Sequence, residues 1–229
     1  MLRFEVHLDN DSTRILELAP QPDDADAEVA PMFSEVWLGT ELWPAAKALI
    51  HWLEASTWPQ RLANTKLCVE LGAGTGACGL AAAALGAPNV VLTDLPSLLS
   101  TCVANVRANS MEATVRAEAL AWALELPGDA FSEGADLVLM SDCLNPVYGE
   151  AHAECLAATL HALLSRATAQ GGSDTPVGLL AQARRGEGVS ESVFFGACAR
   201  LGLVSELMAT TADDDTQLQV AVHEIRLSS

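Results

Sequence analysis

The segment VELGAGTGACGL, residues 69–80, constrains the fold more than any other stretch of this 229-residue chain. It sets Gly72, Gly74 and Gly76 between a short apolar run, KLCVEL (66–71), and an alanine-rich run, GACGLAAAALGA (76–87). A strand that reverses through G-x-G-x-G into a helix is the opening unit of a doubly wound α/β sheet. Glycine allows the tight reversal and lets a ligand reach backbone N–H groups with no Cβ in the way. The turn alone does not choose that ligand. Dinucleotide enzymes place G-x-G-x-x-G here, and only Ala77 separates the present spacing from theirs.

Downstream, strands and helices alternate. NVVLTD (89–94), a strand within EATVRAEALAW (112–122), ADLVLMSD (135–142) and PVGLLAQA (176–183) read as strands. Between and after them LPSLLSTCVANVRANS (95–110), AHAECLAATLHALLSRATA (151–169) and SESVFFGACARLG (190–202) read as helices. Strands separated by helices imply a parallel sheet with right-handed crossovers. LVSELMA (203–209) and QLQVAVHEIRL (217–227) are joined only by TTADDDT, so they pair antiparallel. The expected fold is a Rossmann-like α/β sandwich of seven strands, six parallel and the last inserted antiparallel.

Upstream, residues 2–8 and 13–19 alternate apolar and polar around DNDS, a β-hairpin pattern. PQPDDADAEVAP (20–31) is Pro-bounded and acidic and reads as a linker. TELWPAAKALIHWLEAS (40–56) has apolar residues at helical spacing, with Thr40 as candidate N-cap. The division expected is 1–34, hairpin and linker, and 35–229, the α/β domain.

Charge narrows the partners. The chain carries 30 Asp+Glu against 12 Lys+Arg, a net charge of −18. Nucleic-acid binders present basic surfaces that release counterions from phosphates, so a polyanionic partner is disfavoured and a cationic protein surface is suited. No apolar run approaches the roughly 20 residues that cross a bilayer, so no membrane partner is expected. Six scattered cysteines with no C-x-x-C, and five dispersed histidines, indicate neither a disulfide framework nor a metal site. Reduced thiols in the cytoplasm, with the nucleus as an alternative, are the expectation. Oligomeric state is not readable from the sequence.

Two acidic residues qualify the glycine turn. Glu70, two residues before Gly72, would oppose a pyrophosphate but suits a cationic ligand such as the sulfonium of S-adenosylmethionine. Asp94 ends the next strand about 20 residues on, placed to accept hydrogen bonds from ribose hydroxyls. Dinucleotide enzymes share that acid, so it supports a nucleoside cofactor without naming one.

ELWPAA, VELGAGTGACGL, VVLTDLPSLLSTCVANVRAN, LAW and DLVLMSD, in that order, resemble a seven-β-strand methyltransferase. More narrowly the chain, over roughly residues 35–225, resembles the methyltransferase-like family 21 (family 16) group, which includes protein-lysine methyltransferases. The resemblance implies S-adenosylmethionine as cofactor. It implies that Trp43 closes over the methionyl end and that Gly72, Ala73 and Gly74 line it with backbone. Asp94, with Leu95 beside it, would hold the ribose, Trp122 would cover the adenine, and Ser141 would touch the cofactor from the fourth strand. An aromatic face also suits a sulfonium, and a flat apolar ring suits adenine. Trp37, Trp52 and Trp58 read as packing residues.

The acceptor side departs from the family. There the fourth strand ends in Asp-x-x-Tyr; here Asp142 occupies the aspartate position, but the tyrosine position is Asn145. Tyr148, the chain's single tyrosine, follows three residues later. Asp142, Asn145 and Tyr148 are therefore the candidate catalytic residues. NPVY (145–148) also differs by one letter from the Asn-Pro-Pro-Tyr of enzymes that methylate base amino groups, but it falls three or four residues beyond the strand end. The function expected is a protein-lysine methyltransferase. The alternatives are methylation of a nucleic-acid base, a small molecule or a protein histidine, and a catalytically silent cofactor-binding or interaction domain. AQARRGEG (181–188), with an adjacent arginine pair, is placed either to shape the substrate mouth or as a plain solvated loop.

Overall fold

In the computed structural model, residues 1–8, 12–19, 42–55, 57–127, 131–170, 175–185 and 188–228 are described. Strands β1 (Leu2–His7) and β2 (Thr13–Leu18) form an antiparallel hairpin with Leu2 opposite Leu18. Its alternation buries Val6, Leu16 and Leu18. Thr40, Trp37, the linker and the 34/35 division lie outside the described residues.

Helix α1 runs Pro44–Glu54, and Trp43 takes the N-cap position with extended backbone. Proline at the first helical position suits this start, because that N–H would be unpaired in any case. A short helix not anticipated from the sequence, α2 (Trp58–Asn64), follows and buries Trp58 and Leu62.

The α/β succession is then β3 (Cys68–Leu71), α3 (Ala77–Ala84), β4 (Val90–Asp94), α4 (Leu99–Ala108), β5 (Val115–Ala119), β6 (Leu137–Ser141), α5 (Glu150–Ala169), β7 (Val177–Ala183), α6 (Val189–Arg200), β8 (Leu203–Ala212) and β9 (Gln219–Leu227). Among the described residues one sheet has seven strands, in the order β5-β4-β3-β6-β7-β9-β8. β5 through β7 are mutually parallel where they pair. β9 runs antiparallel to both β7 and β8, so six strands share one direction and the last is inserted against them. That is the expected topology.

The sheet separates two apolar layers. Cys68, Val90, Leu92, Leu137 and Leu139 face a layer containing α1, α3, α4 and the hairpin. Val69, Leu71, Val91, Val138 and Met140 face a layer containing α5 and α6. Central strands that are apolar on both faces are what burial between two helical layers demands. β6 is located at its start by Asp136, whose carboxylate accepts from Lys66 N at 2.9 Å and Leu67 N at 3.0 Å.

The chain enters β6 through Gly134, at φ +77°, where a Cβ would run into the α5 backbone at Ala167 N and Leu163 O. No flexible side chain can yield there. Gly134→Ala is expected to cost about 2–4 kcal/mol, combining backbone strain with a steric clash that must move a helix. Urea unfolding checks this, and a loss below about 1 kcal/mol would contradict the close approach.

Candidate active site

β3, β4, β6 and β7 all end on the same edge of the sheet, and the site is assembled there from the segments that follow them. In α/β sheets the crevice beyond the carboxyl ends, where strand order reverses, is where ligands bind. Here the reversal lies between β3 and β6.

The turn after β3 uses left-handed backbone at Gly72 (φ +65°), Gly74 (φ +54°) and Gly76 (φ +80°). Several backbone groups of the turn find partners beneath it. Ala73 N donates to Thr93 O at 2.9 Å, and Gly74 N donates to Asp94 Oδ2 at 2.7 Å. The Cys102 thiol donates to Gly74 O at 3.2 Å, and Asn105 Nδ2 to Thr75 O at 2.8 Å.

Asp94 also accepts from Leu95 N at 2.7 Å. Burial pushes its carboxyl up, while those two backbone bonds oppose the shift. Leu95, 41% exposed, presents an apolar side chain to solvent immediately beyond it. Trp122, three residues past β5, lies against the turn; a Cβ on Gly72 would sit 2.8 Å from its Cζ2. Gly72 is thus bare because an indole edge needs the space. Trp122 in turn meets His152 edge-on at 4.9 Å, and His152 stacks on Tyr148 at 5.4 Å. Burial lowers the His152 pKa, which favours the neutral ring.

Glu70 differs from the expectation. Its side chain points under the turn, and Oε2 accepts from Gly79 N at 2.7 Å, in the first turn of α3. It satisfies one of the orphan N–H groups at that helix start. Burial first, offset by hydrogen bonds from Gly79 and Cys78, pushes its pKa up to about 8. A negative charge aimed at a sulfonium is therefore disfavoured at neutral pH, and the residue shapes the turn from below. Ser141, at the end of β6, interacts with the Cys78 thiol next to it.

Asp142 follows β6 with φ +59°, a left-handed conformation uncommon for a non-glycine residue. Such strain persists only where surroundings over-determine it. Here Asp142 N donates to Ala181 O at 2.9 Å. Gln182 Nε2 donates to Asp142 Oδ1 at 3.0 Å, and Arg185 forms an ion pair with the same oxygen. Gln182 further accepts from Leu144 N at 3.0 Å, so the tip of β7 fixes the whole turn. The Arg185 guanidinium lies 5.3 Å over the Trp43 ring. Asp142 Oδ2 is buried with no hydrogen-bond partner among the described residues. The other half of AQARRGEG's arginine pair serves the backbone, where Arg184 N donates to Gln219 O at 2.8 Å.

Asn145 opens a single 3-10 turn, Pro146–Tyr148, and its carbonyl accepts from Tyr148 N at 3.0 Å. Burial pushes the Tyr148 hydroxyl up to about 12, with Cys143, Asp94 and Asp142 reinforcing the shift and Arg185 opposing it. One phenol thus senses the ends of β4, β6 and β7 together. Among the described residues no cluster of three His, Cys, Asp or Glu is placed to hold a metal ion.

The structure therefore gathers Trp43, the glycine turn, Asp94, Trp122, Ser141, Asp142 and Tyr148 along one edge of the sheet. Four participants were missed by sequence reasoning: Asn105, His152, Gln182 and Cys143, whose thiol donates to Leu71 O at 3.3 Å. Asn105, inside α4, was the signal available, since asparagine is unfavourable in helix interiors.

The fold is that of methyltransferases. The ribosomal protein L11 methylase of Lactobacillus delbrueckii subsp. bulgaricus superposes with TM-score 0.51 at 16% identity, over 81% of this chain and 78% of that one. An O-methyltransferase family protein of Burkholderia thailandensis gives 0.53 at 14% identity, over 81% and 56%. Residues 33–199 match the lysine methyltransferase family model, and the chain belongs to that family. Relatives include EEF1A lysine methyltransferase 3 of Xenopus tropicalis, 35% identical over 159 aligned residues, 54% of this chain and 69% of that protein. Protein N-lysine methyltransferase METTL21A of Danio rerio is 37% identical over 128, covering 54% and 55%. The match to protein-lysine methyltransferase METTL21E of Bos taurus, 39% identical over 72 residues, spans only 24% of that protein's length.

Two outcomes are expected from this geometry. Glu70 has a folded pKa of about 8 against an ordinary 4.5, so the folded chain binds more protons and stability falls as pH rises across that interval. Glu70→Gln should therefore lose less stability than the unsubstituted chain between about pH 5 and about pH 8.5, by urea unfolding; parallel pH profiles would refute it. Arg185→Ala should cost about 1–3 kcal/mol, below the range for fully buried pairs because the arginine is partly solvated. Adding Asp142→Asn should restore most of that loss, since asparagine accepts left-handed backbone.

Proposed function

We propose that the chain is an S-adenosylmethionine-dependent protein-lysine N-methyltransferase. The observation that carries this reading is Asp142, set by Gln182 and Arg185 beside the glycine turn in a chain of the lysine methyltransferase family. The relatives' names specify lysines of proteins, EEF1A in one case, and a net charge of −18 suits a basic protein partner. Free cysteines, five of six buried, support a reducing compartment, the cytoplasm first and the nucleus second.

The residues fit the methyl donor. Gly72, Ala73 and Gly74 would present backbone to its methionyl end and Trp43 an aromatic face. Asp94 would use its remaining lone pairs on the ribose hydroxyls, with Leu95 and Trp122 bracketing the base. Bound there, S-adenosylmethionine supplies an electrophilic methyl group.

The chain's own task is the acceptor. A lysine must lose a proton, against a reference pKa of about 10.4, before its nitrogen lone pair can form a C–N bond. An uncompensated carboxylate would hold the ammonium charged, whereas burial favours the free amine. Arg185 on Asp142 offsets the carboxylate's charge and leaves its free oxygen to accept an N–H from the amine. Positioning of this kind carries much of the rate for an in-line displacement.

Titration calorimetry with S-adenosylmethionine should give heat, and Asp94→Ala should weaken binding about 10- to 100-fold, the value of a charged hydrogen bond. In cell lysate with radiolabelled donor, label should enter lysine residues of nuclease-resistant, protease-sensitive material. Label confined to RNA or DNA would sink the lysine reading, and tight binding without label would favour a silent domain.

A further inference from the structure

One side chain, Asn105, hydrogen-bonds both the segment after the N-terminal hairpin and the candidate cofactor turn. Asn105, fully buried on α4, accepts from Ala19 N at 2.6 Å, just beyond β2, and donates to Thr75 O at 2.8 Å in the glycine turn. One turn further along the helix, Asn109 accepts from Glu17 N at 2.8 Å and donates to Glu17 O at 2.6 Å. One turn back, Cys102 holds Gly74 O. Residues 102, 105 and 109 share one face of α4, which therefore joins hairpin and turn as a polar seam.

Asn105 has one amide to divide between two segments 56 residues apart, Ala19 and Thr75. Its orientation is set by both at once. If Ala19 leaves, the carbonyl oxygen loses its partner in a buried site; if the turn rearranges, the amide nitrogen does. Each loss leaves a buried polar atom unsatisfied, so the two segments are ordered together.

We infer that Asn105 is a positioning residue for the cofactor turn, and that through it the β1–β2 hairpin belongs to the cofactor site. Docking of the hairpin and occupation of the turn reinforce each other. This rests on reading the turn as the S-adenosylmethionine site. Coupling is reciprocal: a ligand that orders the turn tightens the hairpin, and a loosened hairpin weakens the ligand by the same factor.

The test uses the full chain and S-adenosylhomocysteine, whose binding requires no acceptor. Asn105→Ala and Asn109→Ala are titrated calorimetrically beside the unsubstituted chain, with Arg3→Ala as a control on the exposed Arg3–Glu17 pair. Asn109→Ala leaves the Thr75 bond untouched and removes the Glu17 contacts of the hairpin, together with a bond to Asn105 O at the end of α4. Both asparagine variants should lose affinity about 5- to 150-fold, the usual range for coupled sites, and Arg3→Ala should not. Hydrogen exchange at the Glu17 and Ala19 amides of the unsubstituted chain should slow when S-adenosylhomocysteine is added, which needs no variant to fold. A purely structural role would lower the melting temperature and leave affinity and exchange unmoved, and that result overturns the inference. No uptake of S-adenosylhomocysteine by the unsubstituted chain would overturn the methyl-donor reading and this inference with it.

Discussion

The hydrogen bond from Gly79 N to the Glu70 carboxyl decides how the first strand of the α/β unit hands over to its first helix. The left-handed glycines of the turn have no side chains with which to hold it, so its shape is imposed largely from outside. Glu70 does this from one side by tying the start of α3 to the end of β3. Thr93 does it from another, its hydroxyl donating to Glu70 O at 2.7 Å while its carbonyl receives Ala73 N. Asp94 and α4 complete the enclosure. Five backbone groups from Ala73 to Gly79 are thereby satisfied from beneath, and the edge left open is the one beyond the strand ends. A carboxyl with a pKa near 8 in the fold is the thermodynamic trace of this arrangement: burying it costs stability as pH rises, and the turn's geometry is what that cost maintains.

The same device recurs one strand over. After β6 the backbone again turns left-handed, at Asp142, where no glycine relieves the strain. Gln182 and Arg185, both from the end of β7, hold it. The two turns also touch, since Cys143 donates to Leu71 O and would crowd a side chain on Gly72. The geometry of the Asp142 turn is consequently referred to the glycine turn through packed atoms, which is what in-line methyl transfer between the two, as proposed, would require.

The sheet was legible because strand and helix alternate with different periods, and because the closing pair of strands has too short a connection to be parallel. Asp142 was legible too: counting along a buried strand from Asp136 leaves little freedom of register. Glu70 was legible as a position but not as a direction. The period-2 alternation of β3 assigns it to the α3 layer, and recognising that a carboxyl there meets a helix start required the helix to be in place. Asn105, Gln182 and Arg185 act on partners 86, 40 and 43 residues away, and nothing in local pattern reports such distances. The short helix α2 escaped because seven residues are too few to display a period.

Scarcity of cations ties these observations together. Of 12 Lys+Arg, Arg185 is committed to Asp142, Lys47 to Asp213 and Asp215, and Arg61 to Glu224 and the Trp58 ring. Arg166 donates to the carbonyls of Leu126 and Pro127. These four cations brace loops and turns of the fold, whereas Arg3, Arg116 and Arg200 pair with carboxylates at the surface. Arg185 is the instructive case, because it sits on the carboxylate that the proposed acceptor would meet. With Asp142 already paired, a lysine acceptor of the kind proposed would gain little by staying charged. Tyr148, raised to about 12 and stacked on His152, whose pKa burial lowers, adds no negative charge of its own. The family tyrosine is absent at Asn145, yet a phenol still reads the same group of charges from three residues later. Under the proposed lysine reading, the balance of Asp142 against Arg185, rather than any one residue, would favour an uncharged amine.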